Sequence, residues 1–247
     1  MLPIREIRYQ PHAPSQRYPF NIPALQGLQG IILDRAVTFF IGDNGSGKST
    51  LLENLALAAG LNPEGGSRHA SYDPAHTNTE LANALHIVWN RKPMGGFFFR
   101  AESFFDYASY LDETARAAGP NEDPYAAYGG LPLHERSHGE SFLALFRHRM
   151  VPTRPALLLL DEPESALSIT GQFALLRFMR QWEQSGVVQV IVATHSPILL
   201  AYPGAAIWDF DKSPLAAVSY DESDPVRLTR AFLDAPSRFL REIFSDE

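Results

Sequence analysis

The chain has 247 residues, 45% hydrophobic and 20% charged, enough for one large α/β domain or two small ones with a sizeable core. A net charge of −7 gives no overall basic footprint for nucleic acid and leaves only a local patch open. Without cysteine there is no disulfide, thiolate zinc site or cysteine nucleophile, and neither a signal peptide nor an apolar span of about 18 residues is present, so the expectation is a cytoplasmic protein with no direct membrane insertion.

Phe20 to Leu25 reads as a strand, and Pro19 and Pro23 suggest that it lies at an edge. Ala36 to Ile41 is β-branched and aromatic and predicts a strand, and Ser49 to Ala59 carries leucine and alanine at helical spacing. Between them lies Gly42-Asp43-Asn44-Gly45-Ser46-Gly47-Lys48-Ser49-Thr50, which fits G-x-x-x-x-G-K-[ST] in the strand–loop–helix context that pattern requires. Glycines Gly42, Gly45 and Gly47, with Asn44 and Ser46, let backbone N–H groups converge on phosphate oxygens. The helix start adds its positive end. Lys48 is placed to reach the β- and γ-phosphates and the Ser49 hydroxyl to ligate Mg²⁺, so the expected ligands are ATP and Mg²⁺.

Asn62 to Ala75 reads as an exposed loop. Leu85 to Asn90 and Gly96 to Arg100 predict short strands, Ser103 to Ala118 an amphipathic helix, Gly119 to Pro132 a turn-rich stretch and Ser141 to Met150 a helix. The apolar run Ala156 to Leu160 suits a central parallel strand, and it ends in Asp161 and Glu162. Carboxylates at the C-terminal end of such a strand face the phosphate crevice. Asp161 is the candidate metal ligand and Glu162 the candidate base that polarises the attacking water. Gln172 to Gln184 predicts a helix, and Val187 to Ala193 a second buried strand ending at Thr194-His195-Ser196-Pro197, where His195 is placed to contact the γ-phosphate or the water. A terminal hairpin (Ile207 to Phe210, Leu215 to Tyr220) and a helical tail broken near Pro236 complete the chain. Strands alternating with helices point to a mostly parallel sheet covered on both faces.

Together these elements resemble the ABC-type ATPases, and within them the small stand-alone predicted ATPases near the SMC-related and OLD-type branch. The resemblance runs from about Phe20 to Phe210, with Gly42 to Thr50 as Walker A, Leu157 to Glu162 as Walker B, Glu164 to Ser168 as D-loop and His195 as H-loop residue. It implies a P-loop head spanning residues 1–247, with a small antiparallel N-terminal sheet and a helical signature subdomain at about 103–150. The best match to the signature L-S-G-G-Q is Arg136-Ser137-His138-Gly139-Glu140, which is also a capping box on the pattern S-x-x-E. In the family, Ser137 and Gly139 of a second subunit would close on the γ-phosphate, giving an ATP-dependent homodimer that drives or gates a separate protein partner. The alternatives are an ATP-binding subunit of a membrane transporter and a DNA-associated ATPase, which keeps nucleic acid open as a partner. One departure stands out: no glutamine occurs between Gln29 and Gln172. The Q-loop position falls in Phe97 to Ser103, where Glu102 is the candidate replacement.

Overall fold

The computed structural model describes residues 1–11, 17–62, 66–67, 80–102, 109, 112–114, 125, 130, 138–148, 150 and 154–245. Five strands run parallel at the centre of a seven-stranded sheet. These are β3 (Val37–Ile41), β6 (Gly95–Arg100), β7 (Ala156–Asp161), β8 (Val188–Ala193) and β9 (Ala206–Asp209), with β4 (Gly66–Ser67) and β10 (Ala216–Val218) antiparallel at the two edges. The order is β10-β9-β3-β8-β7-β6-β4, so β8 stands between the strand that leads into the glycine-rich loop and the strand that ends in carboxylates.

Alternation along these strands builds two cores. Phe39, Phe97, Phe99, Leu158, Leu160 and Val192 face one way, onto α3 (His138–His148) and α4 (Ile169–Ser185) through Phe142, Phe146, Leu175 and Trp182. Phe40, Phe98, Leu157, Leu159 and Ile191 face the other way, onto α1 (Lys48–Ala58) through Leu51, Leu52 and Leu55. The second core also takes Ile4, Ile7 and Ile31 from a three-stranded antiparallel sheet of β2 (Gly30–Ile32), β1 (Ile4–Tyr9) and β5 (Leu85–Trp89). Gln189 on β8 is fully buried and pins that sheet: its amide accepts from the Ile4 N–H at 2.7 Å and donates to the carbonyls of Ile4 and Leu33 at 3.1 Å each.

Within the described residues the other expected strands and helices recur, with their ends shifted by up to three residues. The expected strand over Phe20 to Leu25 does not form. Pro23 opens a 3₁₀ turn, Pro23–Leu25, because proline lacks the N–H a ladder needs and is pre-set for a first helical position. Strands β1 and β2 carry no clear alternation in the sequence. They carry Ile4, Ile7 and Ile31 into the second core. The stretch 62–75 and the predicted Ser103 to Ala118 helix, Gly119 to Pro132 turns and Ser137 lie largely or wholly outside the described residues. Among the described residues no helix is long and apolar enough to cross a membrane.

Candidate functional site

Neighbouring strands deliver the candidate residues at one height. Ile41 is in register with Asp209, Phe40 and Asp161 with Ala193, and Asp161 with Arg100. The residues that follow these strand ends therefore line one edge, as ligand sites in parallel sheets do.

The loop after β3 has left-handed backbone at Gly42, Gly45 and Gly47. A Cβ on Gly47 would lie 2.6 Å from Ile22 Cγ2, so the 18–25 segment sits directly on the loop and only glycine fits there. Lys48 opens α1, is 3% exposed, and its ammonium donates to the carbonyls of Gly42 at 2.7 Å and Asp43 at 2.9 Å. Burial lowers its pKa, opposed by the carboxylates of Glu162, Asp211, Asp161 and Asp43. The Asp43 N–H is held by both oxygens of Asp211 at 3.0 Å, a brace from the β9–β10 turn. Tyr18, half-exposed, reaches the far end of the loop, its hydroxyl 2.7 Å from Thr50 Oγ1.

Ser49 and Asp161, expected to share a metal, are adjacent: the Ser49 hydroxyl donates to Asp161 Oδ1 at 2.9 Å. Burial pushes Asp161 up to about 7, against the Ser49 hydrogen bond and the Arg100 charge that favour its ionised form. A partly buried hydroxyl–carboxylate pair at the start of α1 is the hard-oxygen donor set Mg²⁺ takes when phosphate oxygens supply the rest.

Glu162 is the only described non-glycine residue with positive φ (46°), although the proline after it favours extended backbone. Such a conformation costs of order 1–3 kcal/mol and persists where the surroundings enforce it. Here the Glu162 N–H is taken by the Ala193 carbonyl at 2.9 Å, and the turn sets Glu162 Oε1 3.6 Å from His195 Nε2. His195 is in turn positioned by Glu164, whose Oε1 accepts the His195 N–H at 2.6 Å; burial raises the Glu164 pKa and that hydrogen bond lowers it. The adjoining Ser196 caps the short helix α5 (Pro197–Leu200) and donates to Gln172 Oε1 at 2.6 Å, tying the histidine turn to α4.

Glu102 ends up elsewhere. Its side chain is 85% exposed and its carboxylate lies 3.3 Å from Arg100 Nη2. Arg100, which sequence reasoning passed over, is the residue beside Asp161. The available signal was a lone arginine closing the aromatic run Gly95–Arg100. Gly139 is the second residue of α3, and among the described residues a Cβ there would meet only the Ala166 carbonyl at 3.5 Å, so the start of α3 abuts the D-loop. Six buried side-chain polar atoms lack a hydrogen-bond partner among the described residues, and three of them, Ser46 Oγ, Arg100 Nε and His195 Nε2, belong to this edge; the others are Thr38 Oγ1, Glu164 Oε2 and Trp208 Nε1. Native proteins satisfy such groups, so their concentration here marks a place for a polar ligand.

A phosphate-type loop after β3, a carboxylate pair after β7 and an interposed β8 define a P-loop nucleotide hydrolase. A protein-family model described as "AAA domain, putative AbiEii toxin, Type IV TA system" matches residues 139–201, the stretch from α3 through His195. The cytochrome c biogenesis ATP-binding export protein CcmA of Rhodopseudomonas palustris (strain HaA2) is 31% identical over 160 residues, 64% of this chain and 77% of that protein. The hemin import ATP-binding protein HmuV of Shewanella denitrificans is 30% identical over 187 residues, 70% of this chain and 72% of that protein. Among solved structures, the SMC head domain from Thermotoga maritima aligns with a TM-score of 0.43 at 17% identity, covering 89% of this chain and 99% of that one. The chain belongs to the ABC-type ATP-binding proteins: it binds ATP and hydrolyses it.

Proposed function

We propose that the chain is an ATP-driven switch, one head of a pair that closes around two Mg-ATP and moves a separate protein partner in the cytoplasm. The head is read as a single unit over residues 1–247, with the helical signature subdomain at about 103–150. The observation that carries the reading is the shared edge of β3, β6, β7 and β8, which brings Lys48, Ser49, Asp161, Glu162 and His195 together.

In this reading the N–H groups of Asn44 to Thr50 cradle the phosphates and the Lys48 ammonium turns from its loop carbonyls to phosphate oxygens. Ser49 and Asp161 hold Mg²⁺, which when bound neutralises charge on the phosphate oxygens. Glu162 accepts a proton from the attacking water, and its strained backbone keeps the carboxylate near His195. His195 donates a hydrogen bond toward the γ-phosphate, its turn fixed by Glu164 and Gln172. Tyr18 offers its ring to the base beside Thr50. The chemistry is positioning and charge neutralisation, as phosphoryl transfer requires.

The relatives' names as export and import ATP-binding proteins favour a second reading, in which the partner is a membrane transporter encoded separately. Both readings share the same hydrolytic site. Its test is Glu162→Gln, which should bind ATP as the parent does and hydrolyse it about 10²-fold more slowly or worse. A near-normal turnover rate in that variant would remove Glu162 from the chemistry.

A further inference from the structure

The sheet register puts Arg100 of β6 directly beside Asp161 of β7. Both side chains lie on the α1 face, two residues beyond Phe98 and Leu159, which pack into the α1 core. Arg100 is 17% exposed, and its guanidinium meets three carboxylates, one on α1, one on β7 and one in the turn after β6. Nη1 is 2.9 Å from Glu53 Oε1 on α1, Nε is 3.8 Å from Asp161 Oδ2, and Nη2 is 3.3 Å from Glu102 Oε2. The last contact involves an 85% exposed side chain and adds little.

Glu53 is four residues after Ser49, so both lie on one stripe of α1. A closed circuit results: Ser49 to Asp161 by a hydrogen bond, Asp161 to Arg100, Arg100 to Glu53, and Glu53 back along one helical turn to Ser49. We propose that Arg100 is a positioning residue that fixes the spacing of the Ser49 hydroxyl and the Asp161 carboxylate for the nucleotide's metal. It lies within Phe97 to Ser103, the stretch where the resemblance places the Q-loop. The proposal rests on the reading that Ser49 and Asp161 hold Mg²⁺.

Chemistry explains why arginine and not glutamine serves here. Glu53 and Asp161 are largely buried carboxylates that meet the Arg100 guanidinium from α1 and β7, and a neutral amide in its place would offer neither of them a charge. A planar guanidinium addresses both at once through different nitrogens, whereas a lysine ammonium is a single point. Glu102 reaches the metal-binding pair only through Arg100.

The experiment is equilibrium binding of a fluorescent ATP analogue to the full chain, titrated with Mg²⁺ and repeated in EDTA. The proteins are the parent, Arg100→Ala, Arg100→Gln, Arg100→Lys, Glu53→Ala and the double Arg100→Ala/Glu53→Ala. Removing the arginine should raise the Mg²⁺ concentration at half-maximal binding about tenfold, the scale of lost outer-sphere support for a metal ligand, with Arg100→Lys in between. Affinity in EDTA should stay within about twofold, and the double variant should be no worse than Arg100→Ala, because both cut one circuit. An unchanged or lower Mg²⁺ requirement in Arg100→Ala would overturn the proposal, since Arg100 would then be neutral or a competitor of the metal. An equal loss in EDTA and Mg²⁺ would overturn it as well, by making Arg100 a general fold contact. Arg100→Lys, which keeps the charge, decides the matter if the alanine variant does not fold. A parent indifferent to Mg²⁺ would instead sink the Ser49–Asp161 metal site itself, a different failure from a Mg²⁺-dependent parent matched by its Arg100 variants.

Discussion

Asp161 shows what a single residue gives up for this site. Burial raises its pKa from 3.8 to about 7, so without a bound cation the folded chain keeps a proton that the unfolded chain releases near pH 4. The sign follows from proton counting. Below about pH 4 both states hold the proton and Asp161 is neutral to stability. Between about pH 4 and 7 the folded state binds more protons, so stability falls as pH rises, and above about 7 the full penalty, of order 4 kcal/mol at most, is present. Asp161→Asn keeps the shape and an oxygen for the Ser49 hydroxyl but has no proton to lose. Without nucleotide or divalent cation it should be more stable than the parent at pH 8, by about 2–4 kcal/mol, with the gap closing toward pH 4. Urea denaturation at pH 4, 6 and 8 measures this, and a gap that does not vary with pH would show that desolvation of the ionised Asp161 is not the cause. The same reasoning explains why the site residues were legible early. Lys48, Ser49, Asp161, Glu162 and His195 each sit at the polar end of an apolar strand or at a helix start, where chemistry-bearing residues interrupt a burial pattern. Arg100 obeys that rule too, but it was hidden because nothing in the sequence says which strand lies beside β7.

At the scale of elements, sequence periodicity gave the parallel strands and their helices because each must bury one side or both against a neighbour. It did not give β1 and β2, whose partners are 20 or more residues away in sequence and whose faces are only half buried. Nor did it exclude the strand expected at Phe20 to Leu25, because the proline that turns this segment into a 3₁₀ turn reads equally as an edge-strand marker. The small sheet is joined to the large one by polar bonds as well as by its apolar face, and Gln189 carries three of them. Gln189→Leu is nearly the same size but leaves the Ile4 N–H and two carbonyls, of Ile4 and Leu33, without partners at a fully buried position. Each orphaned buried group costs about 1–3 kcal/mol, and relaxation recovers part of the sum, so the expected loss is about 2–4 kcal/mol in chemical denaturation. Gln189→Glu would keep the acceptor for the Ile4 N–H but bury a charge against two carbonyls, and should be no less harmful. A Gln189→Leu protein as stable as its parent would mean that the apolar contacts of Ile4, Ile7 and Ile31 alone hold the sheet.

At the scale of the whole molecule, one head leaves its nucleotide edge open, and the resemblance implies that a second copy closes it through the loop at the start of α3. Ser137, one of the two residues expected there, is outside the described residues, so Gly139 carries the test. Among the described residues a Cβ at Gly139 meets only the Ala166 carbonyl at 3.5 Å, ordinary contact, and the residue lies within a helix. Replacing a helical glycine by alanine gains about 0.5–1 kcal/mol of local stability, so Gly139→Ala should fold at least as well as the parent. If the start of α3 packs only within its own head, the substitution changes nothing else. If that backbone approaches the γ-phosphate of a facing head, added side-chain atoms stand between them, and closure suffers while binding to the head's own phosphate loop does not. Association should need the nucleotide, because chains of net charge −7 repel and bound Mg-ATP is what links the surfaces. The pair would be symmetric, each chain giving the other the same loop. In the Glu162→Gln background, where ATP persists, the protein should therefore sediment as a monomer without nucleotide and as a dimer with Mg-ATP. Adding Gly139→Ala should weaken the dimer, and adding Gly139→Arg should abolish it, with ATP affinity of the single head unchanged in both. Sedimentation velocity with and without Mg-ATP, beside ATP titration calorimetry, separates the outcomes. A Gly139→Arg protein that dimerises on ATP as well as its parent would leave the start of α3 as a contact of the D-loop in its own chain and nothing more.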